Sequence, residues 1–497
     1  MKIFRKLLDT KVSTSYMFIL FGVSALMLMG YFSYAWFTVQ GVQQYSVVTG
    51  TLNGTVAIGS NSVTINGSGV ITYTPATDND TITLTVTNTN DRTVKNSIYY
   101  YNLSDTSIEI GYTSDSPTVP STTGVSVDQN KILTYKIKIS NAKGKQIKIG
   151  SSMGLNNSNL SLPSGTTAFS LLSDPTGAEV LVAKANPETL YYNNATTEQK
   201  NQMWTFSHEA TEQLGATTDY RYIGANPNNY VKFNDELWRI IGVFDEDDGT
   251  GKIEKRMKII RNESIGMYSW DNSTTESEYG TNNWPVARLN YLLNPGHESE
   301  TYGGSLYWNK KNGTCYSGHN NDTASCDFTS TGLNDAAKTM IGDAKWYLGS
   351  AKKYDNWSNG LTTHWYKYER GTTMYSGRNT SWIGKVGLMY PSDYGYATSG
   401  GSSTNRASCM ERELYNWNES SCDECYYNDW LLYTSYIQWT ISPIAAYSYY
   451  VFYVSSAGNA YEGYASDPFE IRPVVHLKST INITSGTGSS TDPFILG

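Results

Sequence analysis

Charge is scarce in this chain. Lys, Arg, Asp and Glu make up 16% of its 497 residues, and only five histidines and five cysteines occur. The 37 basic side chains are outnumbered by 45 acidic ones, for a net charge of −8. A nucleic-acid binder needs a basic face for phosphates, so the balance argues against that class. Spread thinly, the negative charge mainly supports solubility. Catalytic signatures are missing too. There is no His-Glu-x-x-His zinc motif and no Gly-x-Ser-x-Gly elbow. Gly400-Gly401-Ser402-Ser403 reads as a polar loop, not a phosphate cradle. Asp245-Glu246-Asp247-Asp248-Gly249 fails the calcium-loop spacing and reads as a solvated hairpin turn. His208, His297, His319, His364 and His476 are scattered, and His476 falls in an apolar run that suits a packed or edge histidine. No catalytic residue, cofactor or metal ligand is assigned, and a non-enzyme is expected.

One long apolar run stands out. Lys2, Arg5, Lys6 and Lys11 precede the uncharged stretch 16–37. As a helix it covers about 33 Å, enough to span a bilayer. A basic tail over 1–15 stays inside, so the bulk of the chain goes outside. The expectation is a single-pass membrane protein, with the membrane as a partner through that helix. The rival is a cleaved leader, since Ser33-Tyr34-Ala35 has a small-x-small cleavage pattern, and the product is then secreted. A buried core helix is the weaker alternative.

What is abundant is Tyr (40) and Gly (43), with Asn, Ser and Thr, a composition that favours strands and polar loops. The chain is long enough for two or three domains. Over 41–172 short β-rich runs recur between turns: 63–65, 70–73, 81–87, 97–103, 107–112, 133–139 and 146–149. Thr81–Thr87 and Tyr135–Ile139 alternate polar and apolar, as strands with one wet face do. This spacing suggests an immunoglobulin-like β-sandwich acting as a stalk. Residues 173–219, poor in apolar periodicity, read as a connector.

From 220 to 497 a second domain of mixed α+β character is expected. It is organised around 228–244. Asn234-Asp235 turns the chain, and Leu237–Phe244 is a nearly unbroken apolar run, hence a strand buried on both faces. Lys252–Arg261 returns beside it. Pro285 opens a short amphipathic helix carrying Val286, Leu289, Leu292 and Leu293. A second helix is expected over 332–348, a polar loop over 350–381 and a buried strand over 385–393. Residues 451–454 and 459–463 form a hairpin, and 471–477 is the closing strand.

The ordered set Leu237-Trp238-Arg239-Ile240-Ile241, Ser269-Trp270-Asp271, Leu289–Asn294, Gly387-Leu388-Met389, Asp429-Trp430-Leu431 and Ile471–Val475 resembles a recurring domain of unknown function on bacterial surface proteins. That family is similar to the C-type-lectin-like fold, the scaffold also used by formylglycine-generating enzymes. The resemblance implies that the domain's end strands, the Trp238 and Val474 runs, pair. It also implies a role in adhesion or ligand binding. The calcium motifs of true C-type lectins are absent, since Asn428-Asp429-Trp430 has its letters in another order, and so is the formylglycine enzymes' cysteine context. The N-terminal part, through Tyr34–Thr38 and Thr83–Thr89, resembles camelysin-like exported sandwich proteins.

All five cysteines lie in the C-terminal half. In an exported protein they read as disulfides. Cys315 pairs with Cys326; Cys409 pairs with Cys425 or with Cys422, the first being the assignment carried forward. Cys422-Asp-Glu-Cys425 also has a metal or redox spacing, but no second Cys pair accompanies it. Tyrosines crowd the chain after Pro443. Exposed Tyr and Trp beside Asn, Ser and Asp suit sugar or protein ligands. Trp430, Trp439, Tyr449, Tyr453 and Tyr461 are the candidate ligand face, against the alternative that they pack a helix-poor core. The combined reading is a membrane-anchored, non-catalytic extracellular adhesin or receptor for a glycan or protein. Its alternatives are a subunit of a surface layer or fibre and, weaker, a hydrolase or modifying enzyme on a lectin-like scaffold.

Overall fold

The computed structural model describes residues 43–49, 52–59, 63–65, 70–76, 79–157, 159–172, 175–351 and 359–497. The expected membrane segment, 16–37, lies outside these residues. Among the described residues no helix is long and apolar enough to cross a membrane. The fold is mainly β, and the chain divides into two compact units, 1–174 and 175–497.

In the first unit, two sheets share one apolar core. One contains Asn79–Asn88 between Leu52–Gly59 and Ile132–Ser140; the other contains Ile147–Leu155 between Val94–Tyr101 and Ile71–Tyr73. The alternation read from the sequence explains the packing. Ile82, Leu84 and Val86 point inward with Ile137 and Ile139, and they meet Ile71, Ile98, Ile147 and Ile149 of the other sheet, all at most 2% exposed.

The second unit is built on Glu236–Asp247. Its turn from Tyr230–Phe233 places both Asn234 and Asp235 at positive φ, 57° and 63°, the pattern of a tight two-residue hairpin. Trp238, Ile240, Ile241, Val243 and Phe244 are all buried, because neighbours cover both faces. A bulge between Ile240 and Gly242 lets Ile240 and Ile241 both be buried. Only glycine fits at 242, where a Cβ would lie 2.1 Å from the Tyr220 carbonyl oxygen. The acidic stretch is not a solvated turn throughout: Asp245, Glu246 and Asp247 end the strand, Glu246 is buried, and only Asp248 and Gly249 enter the turn to Ile253–Arg261. There Asp247 accepts the N–H groups of Gly249 and Gly251.

Several expectations are corrected. The Trp238 and Val474 runs do not pair. Ile253–Arg261 lies between them, hydrogen-bonded to both, and the last strand of the chain, Phe494–Leu496, runs parallel to Tyr230–Phe233. Residues 175–219 are part of the second unit, not a connector. Thr217–Arg221 joins the central strand and Trp204–His208 pairs with it in turn. Trp204 and Phe206 alternate inward, but so do Asp219, Arg221 and the His208 imidazole, which breaks the apolar period along the segment. Only Asp335–Met340 of the expected helix over 332–348 is helical; past Gly342, Ala344–Tyr347 pairs with Ser381–Gly384. The expected loop over 350–381 contains the helix Thr362–Glu369, which buries Trp365 edge-on against Phe452 at 4.6 Å. The strand expected over 385–393 shrinks to Val386–Gly387, since Pro391 opens the helix Pro391–Ala397.

Candidate functional site

Two places in the second unit gather polar and aromatic chemistry. One is fully buried. Arg221 donates to Asp219 (2.8 Å) and Asp393 (2.9 Å), and the Lys258 ammonium meets the second oxygen of Asp393 at 2.5 Å. Glu369 and Arg370 pair beside them, and Glu246 lies 3.6 Å from His476. Burial pushes Glu246 and Glu369 up to about 7. It also drives the His476 imidazole well below its ordinary value. With no face open to solvent, this network holds the helix Pro391–Ala397 on the central sheet.

The other place is at the surface, on the hairpin of Tyr450–Val454 and Ala460–Tyr464. Strand register sets Tyr450 opposite Tyr464 and Tyr453 opposite Tyr461. Strand alternation puts these two pairs on opposite faces. On the first face Tyr464 is stacked between Tyr279 and Tyr450, with ring centroids 4.2 and 4.9 Å away. Tyr449 leans on Tyr279 and Tyr450, and Tyr447, 52% exposed, packs on Tyr449 and Tyr450. His319 closes one side. Its Nε2 is 3.2 Å from Asp467 and its Nδ1 2.7 Å from the Ser466 hydroxyl. Glu462, two residues along the strand from Tyr464, has one carboxylate oxygen buried without a hydrogen-bond partner. Burial pushes its carboxyl up to about 7. Burial also raises Asp467, against the pull of His319.

The site thus gathers aromatic rings and two carboxyls around the end of a paired hairpin, with Tyr447 its exposed ring. Such a surface stacks on the C–H faces of a sugar or the apolar part of a peptide and hydrogen-bonds at its rim. A groove of roughly 470 Å³ lies elsewhere in this unit, beside Leu181, Met203 and Phe494, away from these side chains.

Of the five candidates, Tyr449 belongs to this face. Tyr453 and Tyr461 are half-buried on the other face, with Tyr453 against Phe469 at 5.0 Å and Tyr461 stacked on Tyr415 at 5.4 Å. Trp430 and Trp439 are corrected. They are 5% and 2% exposed, and their indole N–H groups donate to the carbonyls of Tyr222 (3.0 Å) and Tyr268 (3.2 Å). A buried indole needs an acceptor, and here the neighbouring backbone supplies it. Trp430 also stacks on the buried Arg239, whose other face meets Tyr230. Tyr279, His319 and Asp467 escaped the sequence reading, because the loops that bring them to Tyr464 are far apart in the chain.

The cysteines form Cys315–Cys326 and Cys409–Cys425, with Cα separations of 5.8 and 5.6 Å, and Cys422 is free and buried. Among the described residues no group of three or more His, Cys, Asp or Glu side chains stands where it could hold a metal ion. No known family model, curated protein or solved structure matches the chain.

Proposed function

We propose that this chain is an exported, membrane-anchored surface protein whose second unit binds a glycan or protein ligand without transforming it. The stack of Tyr279, Tyr464 and Tyr450, edged by Tyr447, Tyr449 and His319, is the observation that carries the reading. Ring faces at a surface lose little conformational entropy on binding, because each tyrosine has only two side-chain torsions. The paired hairpin holds Tyr450 and Tyr464 in place, as a preorganised ligand surface requires, and loops bring the other rings to them. The first unit then serves as an immunoglobulin-like stalk and the second as a lectin-like head. The export segment over 16–37 and the absence of catalytic motifs in the sequence favour a cell-surface binding role over an enzyme. The experiment is a screen of the full chain in detergent micelles against broad glycan and surface-protein arrays. Saturable binding to one ligand class is the expected result; silence across both arrays overturns the reading.

A further inference from the structure

Among the described residues, Lys258 and Asp393 form one of the two most enclosed ion pairs, the other being Arg221 with the same Asp393. Lys258 sits on the strand Ile253–Arg261 and Asp393 in the first turn of the helix Pro391–Ala397, 135 residues later. Their side chains are 1% and 0% exposed, and Nζ lies 2.5 Å from Oδ2. Aromatic rings wall the ammonium: Tyr390 at 4.4 Å, Phe244 at 5.4 Å and Trp346 at 5.7 Å. The carboxyl is held by two further donors. Arg221 Nη1 reaches Oδ1 at 2.9 Å, and the Tyr390 backbone N–H reaches Oδ2 at 2.9 Å.

We propose that Lys258 and Asp393 condense to an intramolecular amide, which staples the central sheet to this helix. The step balances within the pair. One proton passes from the ammonium to the carboxylate, giving an amine and a carboxylic acid. The amine nitrogen attacks Cγ, and the bond from Cγ to Oδ2 breaks. Of the three ammonium hydrogens one stays on the amide and two leave with that oxygen as water. No oxidant or co-reactant is needed.

The surroundings favour the attack and the product, while the first proton transfer runs uphill. Burial pulls the amine of Lys258 towards its neutral, nucleophilic form. Lys258 and Arg221 hold the Asp393 carboxyl low, so the pair starts ionised. The same Arg221 guanidinium then lies where negative charge grows on Oδ1 as the tetrahedral adduct forms. Contact between nitrogen and carboxyl, fixed by sheet and helix, replaces a bimolecular encounter. The product removes two charges from a dry interior, where ions carry a heavy desolvation cost. It also leaves Arg221 paired with Asp219. This proposal is independent of the ligand reading.

Peptide mapping of the purified full chain tests it. Trypsin does not cut after an acylated lysine. The expected product is therefore peptide 257–261 joined to peptide 386–406, lighter than their sum by one water, about 18 Da. Fragmentation should place the link on Lys258 and Asp393. The Lys258→Met chain should release peptide 386–406 unlinked. Cleavage after Lys258 with peptide 386–406 recovered free from the wild-type chain overturns the proposal, whether or not the variant folds.

Discussion

Asp429 is the residue whose sequence context comes nearest to a lectin calcium triplet, and its environment gives it another role. Its backbone bridges to both Gly224 and Thr398, and its side chain is 4% exposed. Oδ1 accepts the Leu431 N–H at 2.9 Å, whereas Oδ2 is buried without a hydrogen-bond partner. Burial pushes this carboxyl well above its ordinary range, outweighing the pulls of the Leu431 and Leu432 N–H groups and of Arg406. The sign of the consequence follows. The folded chain keeps a proton that the unfolded chain releases above about pH 4. Folding stability therefore falls as pH rises from there, by about 1.4 kcal/mol per unit, until the folded carboxyl itself ionises. Asp429→Asn keeps the shape and removes the titration, so the variant should gain on the wild type at that slope. Urea unfolding between about pH 5 and pH 7 measures it, provided the slope against urea is the same for both proteins. Tryptophan fluorescence isolates the second unit, since every tryptophan except Trp36 lies there. A stability difference that does not change with pH refutes the reasoning.

Three further outcomes are expected. Cys422, whose thiol burial pushes up to about 11, should resist alkylation in the native chain. It should react once the chain is unfolded without reductant, and fast native labelling would place it at the surface. Removing the Cys409–Cys425 bridge, which spans 16 residues, should lower stability by roughly 3 kcal/mol in a urea titration. Trp430→Ala should cost about 3–5 kcal/mol, because it opens a cavity and strips Arg239 of one aromatic face; a loss below about 1 kcal/mol would return Trp430 to the surface.

Much of the framework was legible in the sequence because it rests on local rules. The alternation in Thr81–Thr87 and Tyr135–Ile139 falls within observed strands, and the Asn234-Asp235 turn follows from the positive φ these residues tolerate. What stayed hidden is non-local. Arg221, Lys258 and Asp393 sit inside the core as one network, yet along the chain each looks like a surface charge. Trp430 and Trp439 read as ligand-binding because composition does not tell where an indole N–H finds its acceptor. The stack on Tyr464 depends on Tyr279, 185 residues earlier, and no spacing rule connects them.

The ligand face is tested most directly by measuring affinity for the best array ligand in the wild type and in Tyr447→Ala combined with Tyr449→Ala. These two rings lie at the edge of the stack, so the variant should unfold at the wild-type urea concentration. Its affinity should fall at least about tenfold, equal to about 1.4 kcal/mol. An unchanged affinity in a folded variant contradicts the account.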